Sequence, residues 1–157
     1  MRVLLWAFRY PTKQQNLIWL KRRQNTRPSA IARELHVSAP FITKAQRIAE
    51  QRIENLLSNA AYVNRIKLTQ MSPAHGFALG YCAAYKTDTY ITYSPKIGVQ
   101  VWFSHSGDCA HCELDKECES ILKELAVEWG VSIPDGKKPT DIAATLFEEI
   151  KERLGWK

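Results

Sequence analysis

The sequence lacks the features that would place it in a familiar enzyme or membrane class. It has no glycine-rich phosphate loop, no H-E-x-x-H pair and no nucleophile elbow, so it offers little from which to build an enzyme. No stretch is apolar over enough residues to span a membrane, and we expect no membrane partner. The apolar run at residues 3–8 is shorter than the core of a signal peptide. The sequence therefore predicts a cytoplasmic protein without catalytic activity.

Cysteine is scarce, with four residues among 157. Four are too few and too clustered for the disulfide scaffold of a small secreted protein. Three of them, Cys109, Cys112 and Cys118, fall in one short segment with the spacing C-x2-C-x5-C. In a reducing cytoplasm such a cluster indicates metal ligation or redox chemistry.

Charge is distributed unevenly along the chain, whose formal net charge is +6. Residues 1–67 carry thirteen Lys and Arg against three Glu, a net of +10. Residues 68–157 carry nine Lys and Arg against thirteen Asp and Glu, a net of −4. A basic field attracts nucleic-acid phosphates without reading their sequence, so the first part of the chain is expected to bind a polyanion.

Residues 26–47 have the pattern of two short helices joined by a tight turn. Pro28 suits a first helical turn, and Ile31, Ala32 and Leu35 return after it at helical spacing. His36 follows, at a turn position where the backbone often needs a positive φ and glycine is the usual residue. This pattern predicts the first helix and the turn of a helix-turn-helix.

The second helix of the pair is predicted to begin after Ser38, which is a good N-cap. Its first apolar residues are Phe41, Ile42 and Ala45, of which Ile42 and Ala45 are expected to pack against the first helix. The remaining positions face outward and suit base edges and phosphates. These expected DNA-binding residues are Ser38, Ala39, Pro40, Thr43, Lys44 and Arg47.

The flanking sequence extends this unit on both sides. Thr12 is expected to cap a preceding helix through about Gln24, in which Leu17, Ile18 and Leu20 face the helix pair. The second helix of the pair continues its apolar spacing without Gly or Pro up to Ser72-Pro73. Two alternatives are open for the second half of this helix. It pairs with a copy of itself in a homodimer, or it packs on the rest of the chain, and we favour the homodimer.

Beyond residue 65 the apolar period changes to two, with turn residues between the segments, so three or four antiparallel strands are expected. Two C-terminal helices follow, one ended by Gly130 and one capped by Thr140. The apolar residues at positions 3–8 predict a short strand or packed arm. The predicted fold is α+β, with a helix-turn-helix domain at 1–61 and a sheet-plus-helix domain at 62–157.

The cysteine cluster predicts a metal site closed by a fourth ligand. Two cysteines two residues apart can share one ion through a turn, and Cys118 adds a third thiolate. His105 is the expected fourth ligand of a zinc ion, with Cys82 and His111 as alternatives. With Cys82 as the fourth thiolate, the same set suits a 4Fe–4S cluster. Two other interpretations remain open: thiol–disulfide chemistry at Cys109-Ala110-His111-Cys112, and ordinary reduced cysteines.

Three segments resemble known families. The stretch from about Thr12 to Ala61 resembles archaeal Tfx-type DNA-binding proteins and sigma-factor region 4 modules, through I-A-x-E-L-x-V-S-x-x-x-I-T-K continuing as A-E-x-R-I-E-N. The cysteine spacing resembles iron–sulfur sites of WhiB-type regulators and CRISPR-associated exonucleases. The segments Y-I-T-Y-S and H-S-G-D-C-A-H-C look like the C-terminal part of archaeal proteins that begin with such a helix-turn-helix.

The first resemblance implies a transcriptional regulator whose second helix enters the major groove of double-stranded DNA. By that match, Ser38, Thr43, Lys44 and Arg47 stand at groove-facing positions. The alternative is a thiol or iron–sulfur redox protein, or an RNA-binding protein, with the same basic N-terminal part.

Overall fold

We describe residues 9–105 and 107–157 of the protein from a computed structural model. These residues form five α-helices and a four-stranded antiparallel sheet, so the predicted α+β class and the order of helices, sheet and helices are confirmed. The strand or arm predicted at residues 3–8 lies outside the described residues. None of the described helices is long and apolar enough to cross a membrane.

Three helices come first: α1 at Lys13–Arg23, α2 at Pro28–Leu35 and α3 at Ala39–Val63. Thr12 caps α1 as predicted, because its hydroxyl accepts the Gln15 N–H at 3.2 Å while Gln15 Oε1 accepts the Thr12 N–H at 3.0 Å. Helix α3 runs for 25 residues because no Gly or Pro follows Pro40 within it. At 1.5 Å per residue it is about 37 Å long.

Helix α1 corrects part of the prediction. Ile18 is buried with the helix pair as expected, but Leu17 is 41% exposed, and Trp19, only 1% exposed, is buried in its place. Trp19 and the partly buried Leu20 belong to a second core cluster, shared with α3 and the sheet. The helix therefore packs on two partners, and its buried surface is wider than the helix pair alone requires.

Four strands follow α3 and pair with their neighbours in chain order: β1 at Ile66–Ser72, β2 at Phe77–Cys82, β3 at Thr87–Ser94 and β4 at Gly98–Phe103. One face of this sheet packs on the second half of α3. The buried residues at this contact include Ala49, Ile53, Leu56, Leu57 and Ala61 of α3 and Ile66, Ala78, Ile91 and Tyr93 of the sheet. Of the two alternatives for α3, packing on the rest of the chain is the one observed.

The chain divides into two compact units, the first ending at Phe103 and the second beginning at Ser104. The sheet lies in the same unit as the helix-turn-helix because α3 extends from the turn across the sheet, whereas the boundary predicted after residue 61 separates them. The two compact units differ in charge. The first has fifteen Lys and Arg and four Asp and Glu, and the second has seven Lys and Arg and twelve Asp and Glu. Their net charges are therefore +11 and −5.

The second unit contains a 3₁₀ turn at Cys109–His111 and two helices, α4 at Asp115–Trp129 and α5 at Pro139–Leu154. Gly130 ends α4 in the left-handed conformation, with φ 62°, as its sequence position predicts. The expected cap of α5 is wrong: the helix begins two residues earlier than an N-cap at Thr140 predicts, at Pro139, and Lys138 is the N-cap without a side-chain hydrogen bond. Proline is favoured at this first position because an N–H there would have no intrahelical acceptor, so a residue without an N–H loses no hydrogen bond.

Candidate nucleic-acid interface

The turn between α2 and α3 depends on the backbone of His36. This residue has φ 54° and ψ 42°, which confirms the positive φ expected at the position. The N–H of Val37 donates to Ala32 O at 3.0 Å and that of His36 to Arg33 O at 3.4 Å. These two bonds close α2 as a Schellman motif, and Val37 packs against the core beneath it. The turn is therefore fixed at both its backbone and its apolar side.

The start of α3 is capped as predicted. Ser38 has extended backbone, and its Oγ accepts the Phe41 N–H at 3.2 Å. Pro40 lies in the first turn, where proline costs no intrahelical hydrogen bond. The first residues of α3 are therefore held in one conformation.

A small core holds the two helices of the pair against α1. Its buried members are Ile18, Ile31, Ala32, Ile42 and Ala45, with Leu35 and Val37 partly buried beside them. Ile18, Ile31 and Ile42 are fully buried. This core contains every residue predicted to join the two helices.

All six residues predicted to bind DNA are exposed. They are Ser38, Ala39, Pro40, Thr43, Lys44 and Arg47. In α3, Ile42 and Ala45 turn inward while Lys44 and Arg47, three residues apart and on one helix face, turn outward. The structure thus brings the predicted set together on one surface of the first unit, which we call the α3 surface.

The α3 surface contains one residue that sequence reasoning left out. Phe41 is 40% exposed, although its apolar side chain was grouped with Ile42 and Ala45. A signal was present in the spacing, because Phe41 lies about 100° around the helix from Ile42, at the edge of the buried stripe. Apolar character alone did not identify it as a surface residue.

Several basic residues of the first unit are already committed to the fold. The Arg22 guanidinium donates to Gln46 Oε1 at 2.9 Å and to Thr26 O at 2.8 Å, which ties α1 to α3. Gln46 in turn donates to Glu50 Oε1 at 2.8 Å. Lys21 forms an ion pair with Glu34 at 2.9 Å. Arg22 and Lys21 add to the positive field of the unit, but their side chains are engaged in bonds that hold its helices together.

Other basic side chains near the helix pair are uncommitted. Within residues 9–105 and 107–157, no hydrogen bond or ion pair engages the side chains of Arg27, Arg33, Lys44 and Arg47, and all four are exposed. No acidic residue occurs between Ala39 and Arg47. The α3 surface is therefore positive and has free cationic groups for an anionic partner.

The cysteine segment lies in the second unit. The N–H of Cys112 donates to Cys109 O at 3.3 Å, and that of Cys118 donates to Leu114 O at 2.9 Å in the first turn of α4. Asp108 stabilises the turn, because its carboxylate accepts the Ala110 N–H at 3.2 Å and contacts His111 Nδ1 at 2.6 Å. The segment is thus a series of short turns that leads from Cys109 into α4.

Thr140, at the start of α5, lies close to one of the expected metal ligands. Cys109 Sγ is 3.7 Å from Thr140 Oγ1. A Cβ at Gly107 would lie 2.9 Å from the His105 ring and 3.7 Å from Thr140 Cγ2. Cys109 therefore lies beside the start of α5, and the backbone at Gly107 lies near both His105 and Thr140.

The four cysteines differ in their surroundings. Cys82 is 1% exposed and packs in the core between α3 and the sheet, where it behaves as a small apolar residue. Cys112 is exposed. Burial raises the pKa of the half-buried Cys118 thiol, and the neighbouring charges of Cys112, Glu117, Cys109 and Asp115 raise that pKa further.

The chain matches no family model, no curated protein and no solved structure.

Among the described residues, no three or more His, Cys, Asp or Glu side chains are grouped so that they could hold a metal ion. The structure therefore places Cys109, Cys112, Cys118 and His105 in one unit without arranging them as a ligand set. The zinc and iron–sulfur sites remain predictions from spacing. The six residues of the α3 surface, in contrast, are assembled by the fold itself.

Proposed function

We propose that the protein is a transcriptional regulator that binds double-stranded DNA through the first turns of α3. One observation carries the proposal: a capped helix buries one face and presents on the other Lys44 and Arg47, whose side chains no other described residue engages. A helix with its side chains is about 10–12 Å in diameter, and the major groove of B-DNA is about 12 Å wide. The exposed face of α3 therefore has the dimensions and charge that suit that groove.

The charge of the unit supports a nucleic-acid partner. The compact unit that contains the α3 surface has a net charge of +11, larger than that of the whole chain. Such a field accelerates encounter with phosphate backbones, while contacts from the groove-facing residues would give orientation and sequence preference.

The test is the salt dependence of binding to a duplex of mixed sequence, measured by fluorescence anisotropy. The logarithm of affinity should fall with the logarithm of salt concentration, with a slope of about −0.9 per phosphate neutralised. Lys44→Ala and Arg47→Ala should each weaken binding and make that slope shallower by about one. Lys67→Ala is the matched control, since Lys67 is an exposed base on β1 and its loss changes the charge equally.

Two results would overturn the proposal. One is that Lys44→Ala and Arg47→Ala bind duplex DNA as tightly as Lys67→Ala does. The other is that the wild-type protein prefers single-stranded RNA to every duplex tested, which would favour the RNA-binding alternative.

The homodimer stays part of the proposal without a surface assigned to it. A single helix-turn-helix buries little DNA surface, and two would read half-sites one helical turn apart. The apolar face of the second half of α3 is already covered by the sheet, so pairing through that face is not available. Light scattering of the free and DNA-bound protein measures the oligomeric state directly.

The metal site is a separate proposal that rests on the C-x2-C-x5-C spacing. Metal analysis and an absorption spectrum after aerobic and anaerobic purification distinguish zinc, an iron–sulfur cluster and no metal. A metal-free protein with normal DNA binding would remove this proposal and leave the DNA-binding function in place.

A further inference from the structure

The first three residues of α3 are apolar and exposed. They are Ala39, Pro40 and Phe41, of which Phe41 is 40% exposed. Within the described parts of the chain, no other ring contacts Phe41. Apolar surface left in water forgoes the favourable free energy of its burial. This turn therefore gains free energy from a partner that covers the ring.

The same turn has few hydrogen-bond donors left for base edges. The first four N–H groups of an α-helix have no intrahelical acceptor, and here they would belong to residues 38–41. Pro40 has no N–H, and the N–H of Phe41 is bound by Ser38 Oγ. The Thr43 hydroxyl donates to Ala39 O at 3.3 Å. Hydrogen-bond readout at this turn is thus restricted, while apolar readout is open.

The charge around Phe41 selects the kind of partner. Lys44 and Arg47 are exposed on the same surface, and residues 39–47 include no acid. A second copy of this surface, or another basic protein, would bring like charges together. A duplex brings phosphates to the lysine and arginine and, in its major groove, one apolar group, the C5-methyl of thymine.

We infer that Phe41, flanked by Ala39 and Pro40, contacts thymine methyl groups in the major groove and gives the protein a preference for thymine at the contacted position. This inference rests on the proposed DNA-binding function and adds a base-reading residue to it. Lys44 and Arg47 then supply phosphate attraction, and the apolar turn supplies discrimination among sequences.

The experiment compares two alternating duplexes of equal length, poly(dA-dT) and poly(dA-dU), by fluorescence anisotropy at one salt concentration. The two differ only in the thymine methyl group, so phosphate attraction is the same for both. Wild type should bind poly(dA-dT) about fourfold more tightly, the ratio that corresponds to burying one methyl-sized group. Phe41→Ala should bring the ratio close to one with little change in affinity for poly(dA-dU).

Leu17→Ala is the matched control, because Leu17 is an apolar residue of α1 that is 41% exposed. It should keep the wild-type ratio. A second probe adds the methyl group to another base: duplexes of alternating dG and 5-methyl-dC should bind more tightly than unmethylated ones, again only when Phe41 is present.

The possible outcomes separate the inference from the function it rests on. Equal, measurable binding of wild type to poly(dA-dT) and poly(dA-dU) would show that the methyl group is not read, while DNA binding stands. A ratio that persists in Phe41→Ala would assign the preference to other residues. Failure to bind any duplex would remove both the inference and the proposed function.

Discussion

The indole N–H of Trp19 donates a hydrogen bond to the backbone carbonyl of Pro73, with 3.0 Å between the two atoms. Trp19 lies in α1 and Pro73 in the turn between β1 and β2. The same ring meets Tyr93 edge to face, at 5.5 Å between centroids, and the Arg23 guanidinium lies 5.0 Å from its centre. One side chain thus joins the helix-turn-helix to the sheet within the first unit.

Gly76 lies against the Trp19 indole, and its replacement should destabilise the protein. Gly76 has φ +66°, and an added Cβ would lie 2.9 Å from Tyr93 O and 3.0 Å from the Trp19 ring. We expect Gly76→Ala to lower the free energy of unfolding by more than the 1–2 kcal/mol or so of left-handed backbone strain alone. Urea denaturation followed by tryptophan fluorescence measures the change.

Gly98→Ala is the control for Gly76→Ala. Gly98 also has positive φ, +88°, but among the described residues its added Cβ would meet only Tyr10, at 3.5 Å, an ordinary contact. The difference between the two variants in lost free energy of unfolding separates the cost of crowding against Trp19 from the cost of backbone strain. Equal losses of stability for the two variants would show that the indole moves aside at no cost, against the close contact between Gly76 and Trp19.

His36 is the second position where the backbone predicts a stability change, in the opposite direction. The residue adopts φ 54° at the end of α2 with its side chain exposed, so glycine would keep the turn and lose no packing. His36→Gly should raise the free energy of unfolding by about 1 kcal/mol. His36→Ala keeps the Cβ and should give no such gain. A lower melting temperature for His36→Gly than for His36→Ala would contradict the expectation.

His36 and Trp19 show which parts of the fold can be predicted from the sequence. His36 was found because a helix, its end and the next N-cap are local in sequence. Trp19 was missed because its partner, Pro73, is 54 residues away and helical spacing does not show what covers an apolar face. The same limit applies to α3, because its apolar spacing does not distinguish a sheet from a second copy of the chain as the partner that covers it.

Acid should destabilise the protein through His75. Burial lowers the pKa of His75 below its ordinary value of 6.5, Arg23 lowers that pKa further, and Glu50 opposes the shift. The unfolded chain then binds a proton more readily than the native state, so the stabilising contribution is present above pH 6.5 and is lost as pH falls through the lower, folded pKa. Urea denaturation at pH 7.5 and pH 5.5 should show this loss.

His75→Gln removes the titrating group and serves as the control. Ser72 Oγ lies 2.7 Å from His75 Nδ1, and glutamine keeps a polar partner for that hydroxyl. The variant should lose less stability than wild type between the two pH values. If both proteins lose the same amount, other groups carry the pH dependence.

The thiols should react in an order set by exposure and pKa, because the thiolate is the reactive form. With iodoacetamide at pH 7.5, Cys112, which is exposed, should be modified before Cys118, whose pKa is raised, and Cys82 should react only in unfolded protein. Raising the pH should reduce the difference in modification rate between Cys112 and Cys118. Peptide mass spectrometry at timed intervals gives each rate separately.

The same measurement tests the predicted metal site. A zinc ion held by Cys109, Cys112 and Cys118 would protect all three thiols from iodoacetamide. A chelator would then accelerate the modification of all three, while Cys82 would stay unmodified. Without bound metal, a chelator changes no rate and Cys112 reacts first by itself. Protection of Cys118 alone, unaffected by a chelator, would assign its slow reaction to burial and neighbouring charge rather than to ligation.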